Sequence, residues 1–129
     1  MWVGEKSTFD KEGVRRPESP AFTRSEVPPM QTAHWLLKPA GVVRGTWTDP
    51  ETAVDWLTAR LAEHAPRFLS PQDRDARRLA GQGRAARERL SWGGDVSLGH
   101  YLNQPLFLSL ALVTCSPNRA APALPCPAP

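Results

Sequence analysis

The sequence predicts an α+β fold: a four-stranded antiparallel sheet in the order β-β-α-α-β-β, two helices packed on one face, and disordered tails at both ends. Three observations carry the prediction. Residues 33–47 and 95–115 alternate apolar and polar positions around turn-forming tripeptides. Between them, two stretches repeat apolar residues at helical spacing behind start signals. The terminal segments show neither pattern and are rich in proline.

The chain begins "MWVGEKSTFDKEGVRRPESPAFTRSEVPP". No apolar period runs through these 29 residues, so they are expected to stay disordered for want of surface to bury. Met30 follows directly, and a translation start there is an alternative reading of the extension. The first strand pair is expected in "AHWLLKPAGVVRGTW", 33–47, turning at Pro39-Ala40-Gly41. Pairing Lys38 with Val42 puts Trp35, Leu37, Val43 and Trp47 on one face.

The first helix starts after Thr48, which has capping-box spacing to Glu51, with Pro50 in the first turn. Ala53, Val54, Leu57, Leu61 and Ala65 line its apolar face. The second helix is expected over 71–91, capped by Ser70 and stopped at Gly93-Gly94. Its apolar stripe, Ala76, Leu79, Gly83, Ala86 and Leu90, is made mostly of small residues. The last strand pair turns at Asn103-Gln104-Pro105, so that Leu102 meets Leu106 and His100 meets Leu108. Val96, Leu98, His100, Leu102, Leu106, Leu108, Leu110 and Leu112 then share the face the helices cover. Residues 30–115 form the expected single domain, and 116–129 a Pro-rich tail.

Composition narrows the function classes. The 129 residues suffice for one domain, with net charge +3. The N-terminus lacks an apolar signal core, and "LFLSLALV" is far shorter than the ~20 residues of a membrane helix. A soluble, cytoplasmic protein with no membrane contact is expected. Cys115 and Cys126 make no disulfide framework, which points to a reducing compartment. Thirteen of the 16 basic residues are arginine, a bias that GC-rich coding also produces.

No cofactor is called for. "GQG" and "GGD" lie inside and after a helix pattern, whereas a phosphate loop precedes one. His34, His64, His100 and the cysteines are too scattered for a metal site. His100 is the one candidate general base, but Tyr101 points to the opposite face and Asp95 leans with Tyr101, so no triad forms locally. An enzyme using His100 is therefore the third reading.

The first reading is a small non-catalytic binding or regulatory protein, acting through contact with a protein partner or as a homodimer. Trp56 lies about 120° from the centre of its helix's apolar face, one turn before Arg60, as an interface anchor does. Tyr101 and Phe107 are expected as cross-strand neighbours on an open sheet face, rimmed by Lys38 and Arg44. The second reading is nucleic-acid binding. Arg74, Arg77, Arg78, Arg84 and Arg89 form a basic helical face that can follow phosphates, and the aromatic sheet face can stack bases. "RAAPALP", 119–125, also has the spacing of a polyproline ligand.

Overall fold

The computed structural model describes residues 1–127. They form an α+β fold around a three-stranded sheet: β1 is Trp2–Glu5, β2 Val96–Tyr101 and β3 Leu106–Leu112. The order is β1-β3-β2 and every pairing is antiparallel. The four-stranded sheet with a 33–47 hairpin does not form. That segment makes 3₁₀ turns at Thr32–Leu37 and Ala40–Val42. The period of three places Ala33 and Leu36 inward together, which a strand would have put on opposite faces. The vacant side of β3 is taken by β1, with Trp2 opposite Ser109 and Glu5 opposite Leu106.

The disordered N-terminal segment is therefore also corrected. After β1, one helical turn, α1 at Lys6–Phe9, carries Phe9 onto Phe107, with ring centroids 4.9 Å apart. Two buried cations organise the irregular chain between α1 and residue 40. The Arg15 guanidinium donates to the carbonyls of Phe9, Pro28 and Pro29 and lies 3.8 Å over the Phe9 ring. Lys38 donates to the carbonyls of Phe22 and Ser25, 4.0 Å from the Phe22 ring centre. Burial pushes both side chains' pKa below their usual values. These contacts satisfy loop carbonyls that no strand or helix serves.

On the other face lie α2, Pro50–His64, and α3, Ala76–Ser91. The α2 cap is Asp49 rather than Thr48: its carboxylate accepts from the Thr52 N–H at 2.9 Å and hydroxyl at 2.6 Å. The expected 71–91 helix is divided. Pro71–Arg74 is a separate 3₁₀ turn, and extended Asp75 caps α3 by accepting from the Arg77 and Arg78 amides. Gly83 lets the helices touch, since a Cβ there would lie 2.8 Å from Thr58 Cγ2. Gly93, at φ 84°, ends α3 in a conformation glycine favours. The core joins Val54, Leu57, Leu61, Phe68 and Ala86 to Val96, Leu102, Leu108, Leu110 and Leu112.

β2 and β3 pair in the register expected from the sequence, His100 opposite Leu108. The segment after β3 is tied down rather than loose. The Asp95 carboxylate accepts from the Thr114 amide and hydroxyl and from the buried Asn118 amide. Asn118 Oδ1 in turn accepts from the amides of Ala120 and Ala121, both at 3.0 Å. Cys115 and Cys126, read from the sequence as pointing to a reducing compartment, are bonded to each other with Cα atoms 5.4 Å apart. Residues 128–129 of the expected tail lie outside the described residues. No helix among the described residues is long and apolar enough to cross a membrane.

Candidate functional site

The site is built on the outer edge of β2, one of the two strands that end the sheet. Leu102 donates to the Leu106 carbonyl at 2.9 Å. Even-numbered residues of β2 therefore exchange hydrogen bonds with β3, and odd-numbered ones direct N–H and C=O outward. Both ends of that edge are closed. The Tyr101 carbonyl accepts from the Leu69 amide at 2.8 Å, and the Asp95 carbonyl from Arg89 Nε. Between them Ser97 and Gly99 are exposed, each presenting an outward backbone donor and acceptor.

A groove of about 680 Å³ runs beside this edge. One wall is α3, through Gln82, Ala85, Ala86 and Arg89; the other includes Gln31, Thr32 and Ala33. Trp92 closes one end, 49% exposed, between the guanidiniums of Arg89 and Arg119 at 5.3 and 5.2 Å from its ring centre. Arg119 also donates to the Trp92 carbonyl at 2.8 Å. Neither arginine pairs with a carboxylate among the described residues. The nearby Asp95 carboxylate is turned to Thr114 and Asn118. Gln82 directs its amide nitrogen to His100 Nε2 at 3.2 Å, leaving its buried carbonyl oxygen without a partner. The groove thus offers strand-edge backbone, an apolar floor and a cationic end.

Of the binding-surface residues expected from the sequence, Arg89 lines this groove, as do Asp95 and Arg119, which the sequence offered in other roles. Phe107 is 8% exposed beneath Phe9, while Tyr101 stays 53% exposed at its edge, so α1 covers much of the expected aromatic face. Lys38 is buried in the N-terminal layer, and Arg44 lines a different cavity. Trp56 packs on Trp47 at 5.4 Å, and Arg60 pairs with Glu63 at 3.0 Å. The basic face is dispersed: Arg74 donates to the Phe68 carbonyl, Arg78 pairs with Asp73, and Arg77 and Arg84 are exposed. Trp92 and Ser97 escaped sequence reasoning, and Arg119 entered it only as the arginine of RAAPALP. A tryptophan abutting the helix-ending glycines was the available signal for the first; nothing local places Arg119 beside it.

His100 lies behind the groove. It is 7% exposed, stacked on Phe68 at 4.2 Å, with Nδ1 3.6 Å from Asp73 Oδ2. Burial, aided by Arg78, holds its pKa below the ordinary value despite Asp73. Among the described residues no three histidine, cysteine, aspartate or glutamate side chains cluster to hold a metal ion. No family model, curated protein or solved structure matches the chain.

Proposed function

We propose that this is a small, non-catalytic binding module that captures an extended acidic segment of a partner protein by adding it as a strand to β2. The observation that carries the reading is the open edge at Ser97 and Gly99, closed on both sides and flanked by the Arg89–Trp92–Arg119 cluster. Strand addition draws affinity from main-chain hydrogen bonds and specificity from neighbouring side chains. Each such bond contributes roughly 0.5–1.5 kcal/mol net. The unpaired guanidiniums select carboxylates next to the added strand. His100, which a catalytic reading requires, is sealed between Phe68 and Gln82.

Two other occupants fit less well. A stacked nucleic-acid base needs an open aromatic face, and two guanidiniums already lie over the Trp92 ring. A second copy pairing edge to edge, antiparallel, would bring Arg89 and Arg119 of one chain toward Arg74, beside the Tyr101 end of the other.

The test is fluorescence anisotropy with a labelled short peptide alternating valine and glutamate, its lysine counterpart, and oligothymidylate. Ser97→Pro removes one outward donor while sparing the ladder to β3. The glutamate peptide should bind about tenfold more tightly than the lysine peptide, and Ser97→Pro and Arg119→Ala should each weaken it several-fold. Equal binding of both peptides, tighter binding of oligothymidylate, or a dimer in solution that Ser97→Pro dissociates would each overturn the reading.

A further inference from the structure

A second cavity, of about 320 Å³, shares no lining residue with the groove. It lies where the irregular segment 42–49 passes over the start of α2 and the end of β3, with the Cys115–Cys126 bridge in its wall. The segment makes no strand, so its side chains alone determine what it covers. Trp35, Trp47 and Trp56 all line the space and are all half-buried. Trp47 and Trp56 meet at 43°, so their rings do not close flat on each other. Leu90 and Leu112 complete the apolar wall.

Polar groups also reach the lining: Thr46, Thr48 and Thr114, and the Met1 amine, whose pKa burial and the nearby Arg44 charge lower to about 6. Arg44 also lines the cavity and has no carboxylate or hydrogen-bond partner among the described residues. The other charged side chain of the lining, Asp49, is turned to Thr52 as the cap of α2. A largely apolar chamber of indole rings with a cationic end, at Arg44 and the Met1 amine, discriminates by shape and by charge together.

We propose that this cavity binds a small molecule that joins a flat apolar body to a carboxylate. The body lies against the indoles, and the carboxylate takes the Arg44 fork through paired N–H···O bonds. The volume sits near the lower end of the ~300–1,000 Å³ usual for ligand pockets, which suits a two-ring acid and excludes a dinucleotide. This site does not depend on strand addition at β2, so either can fail alone.

The experiment is calorimetric titration of the full chain with naphthoate and with its neutral twin, naphthalenemethanol, while the indole N–H resonances are followed by NMR. Naphthoate should bind saturably and shift the signals of Trp47 and Trp56. The alcohol should bind about tenfold more weakly, and Arg44→Gln should weaken naphthoate by a similar factor. Arg44 is exposed, so its replacement should leave the melting temperature unchanged. No saturable binding, equal binding of acid and alcohol, or full affinity in Arg44→Gln would each overturn the proposal. Displacement of indole signals outside this cavity, with Trp47 and Trp56 unmoved, would overturn it equally.

Discussion

His100 shows how one side chain serves the core and leaves a trace in solution behaviour. Its ring lies parallel to Phe68, within 10°, with Gln82 at Nε2 and Asp73 beyond Nδ1. Burial outweighs the attraction of Asp73 and lowers its pKa below 6.5. The unfolded chain therefore takes up this proton near its ordinary pKa, and the folded chain only at lower pH. Between those values the unfolded state holds more protons, so stability rises with pH. The contribution is complete above about 6.5 and declines as acidification carries the solution toward the folded value. The melting temperature should fall between about pH 7 and about pH 5, and the fall should be shallower in His100→Gln. Identical slopes in thermal scans of the two proteins would show that another group titrates. The sequence placed this ring on the buried face correctly, because strand alternation fixes it. It did not show Asp73 or Gln82 beside the ring, since both reach it from other elements.

At the scale of elements, what the sequence made legible is what has a period. The leucines of β2 and β3 alternate over enough residues to fix their register, and α2 repeats its apolar face for four turns. β1 has only four residues, too few for alternation to declare itself against the charged sequence after it. The 33–47 stretch has alternation but joins neither outer strand of the sheet. Its Ala33 and Leu36 are satisfied by 3₁₀ spacing, and its Lys38 by loop carbonyls. Charge misled in the same region, because Arg15 and Lys38 act as internal ties rather than solvated groups. A chain starting at Met30 thus loses β1, the Phe9 cover of Phe107 and the Arg15 anchor. That is a large part of the roughly 5–15 kcal/mol that keeps a domain folded. The truncated chain should lose its cooperative thermal transition and near-ultraviolet circular dichroism. A transition within about 5 °C of the full chain's would show the N-terminal layer to be dispensable.

The whole molecule sets the sheet between α2 and α3 on one face and α1, through Phe9 on Phe107, on the other, with an irregular chain tied by buried cations. Its groove draws on residues 31–33, 82–92, 94–98 and 119–120. No local window of sequence contains that combination, so Arg89 was visible as part of a basic helical face but not as part of this groove. Arg119 in particular reaches Trp92 only because the segment after β3 is folded back. Two devices hold it there: Asn118 on Asp95, and the disulfide that encloses residues 116–125. Closing a loop with sequence separation 11 contributes roughly 3 kcal/mol on the chain-entropy account. Such a bond persists only where thiols are kept oxidised. Reduction, or Cys126→Ser, should lower the melting temperature by about 10 °C for a chain of this length. It should also weaken the glutamate peptide several-fold, because Arg119 then loses one of its two restraints. Dithiothreitol should change neither quantity in Cys126→Ser. If reduction shifts the melting temperature but leaves peptide affinity intact, Asn118 alone positions Arg119; if it shifts neither, the bridge restrains nothing that the hydrogen bonds do not already hold.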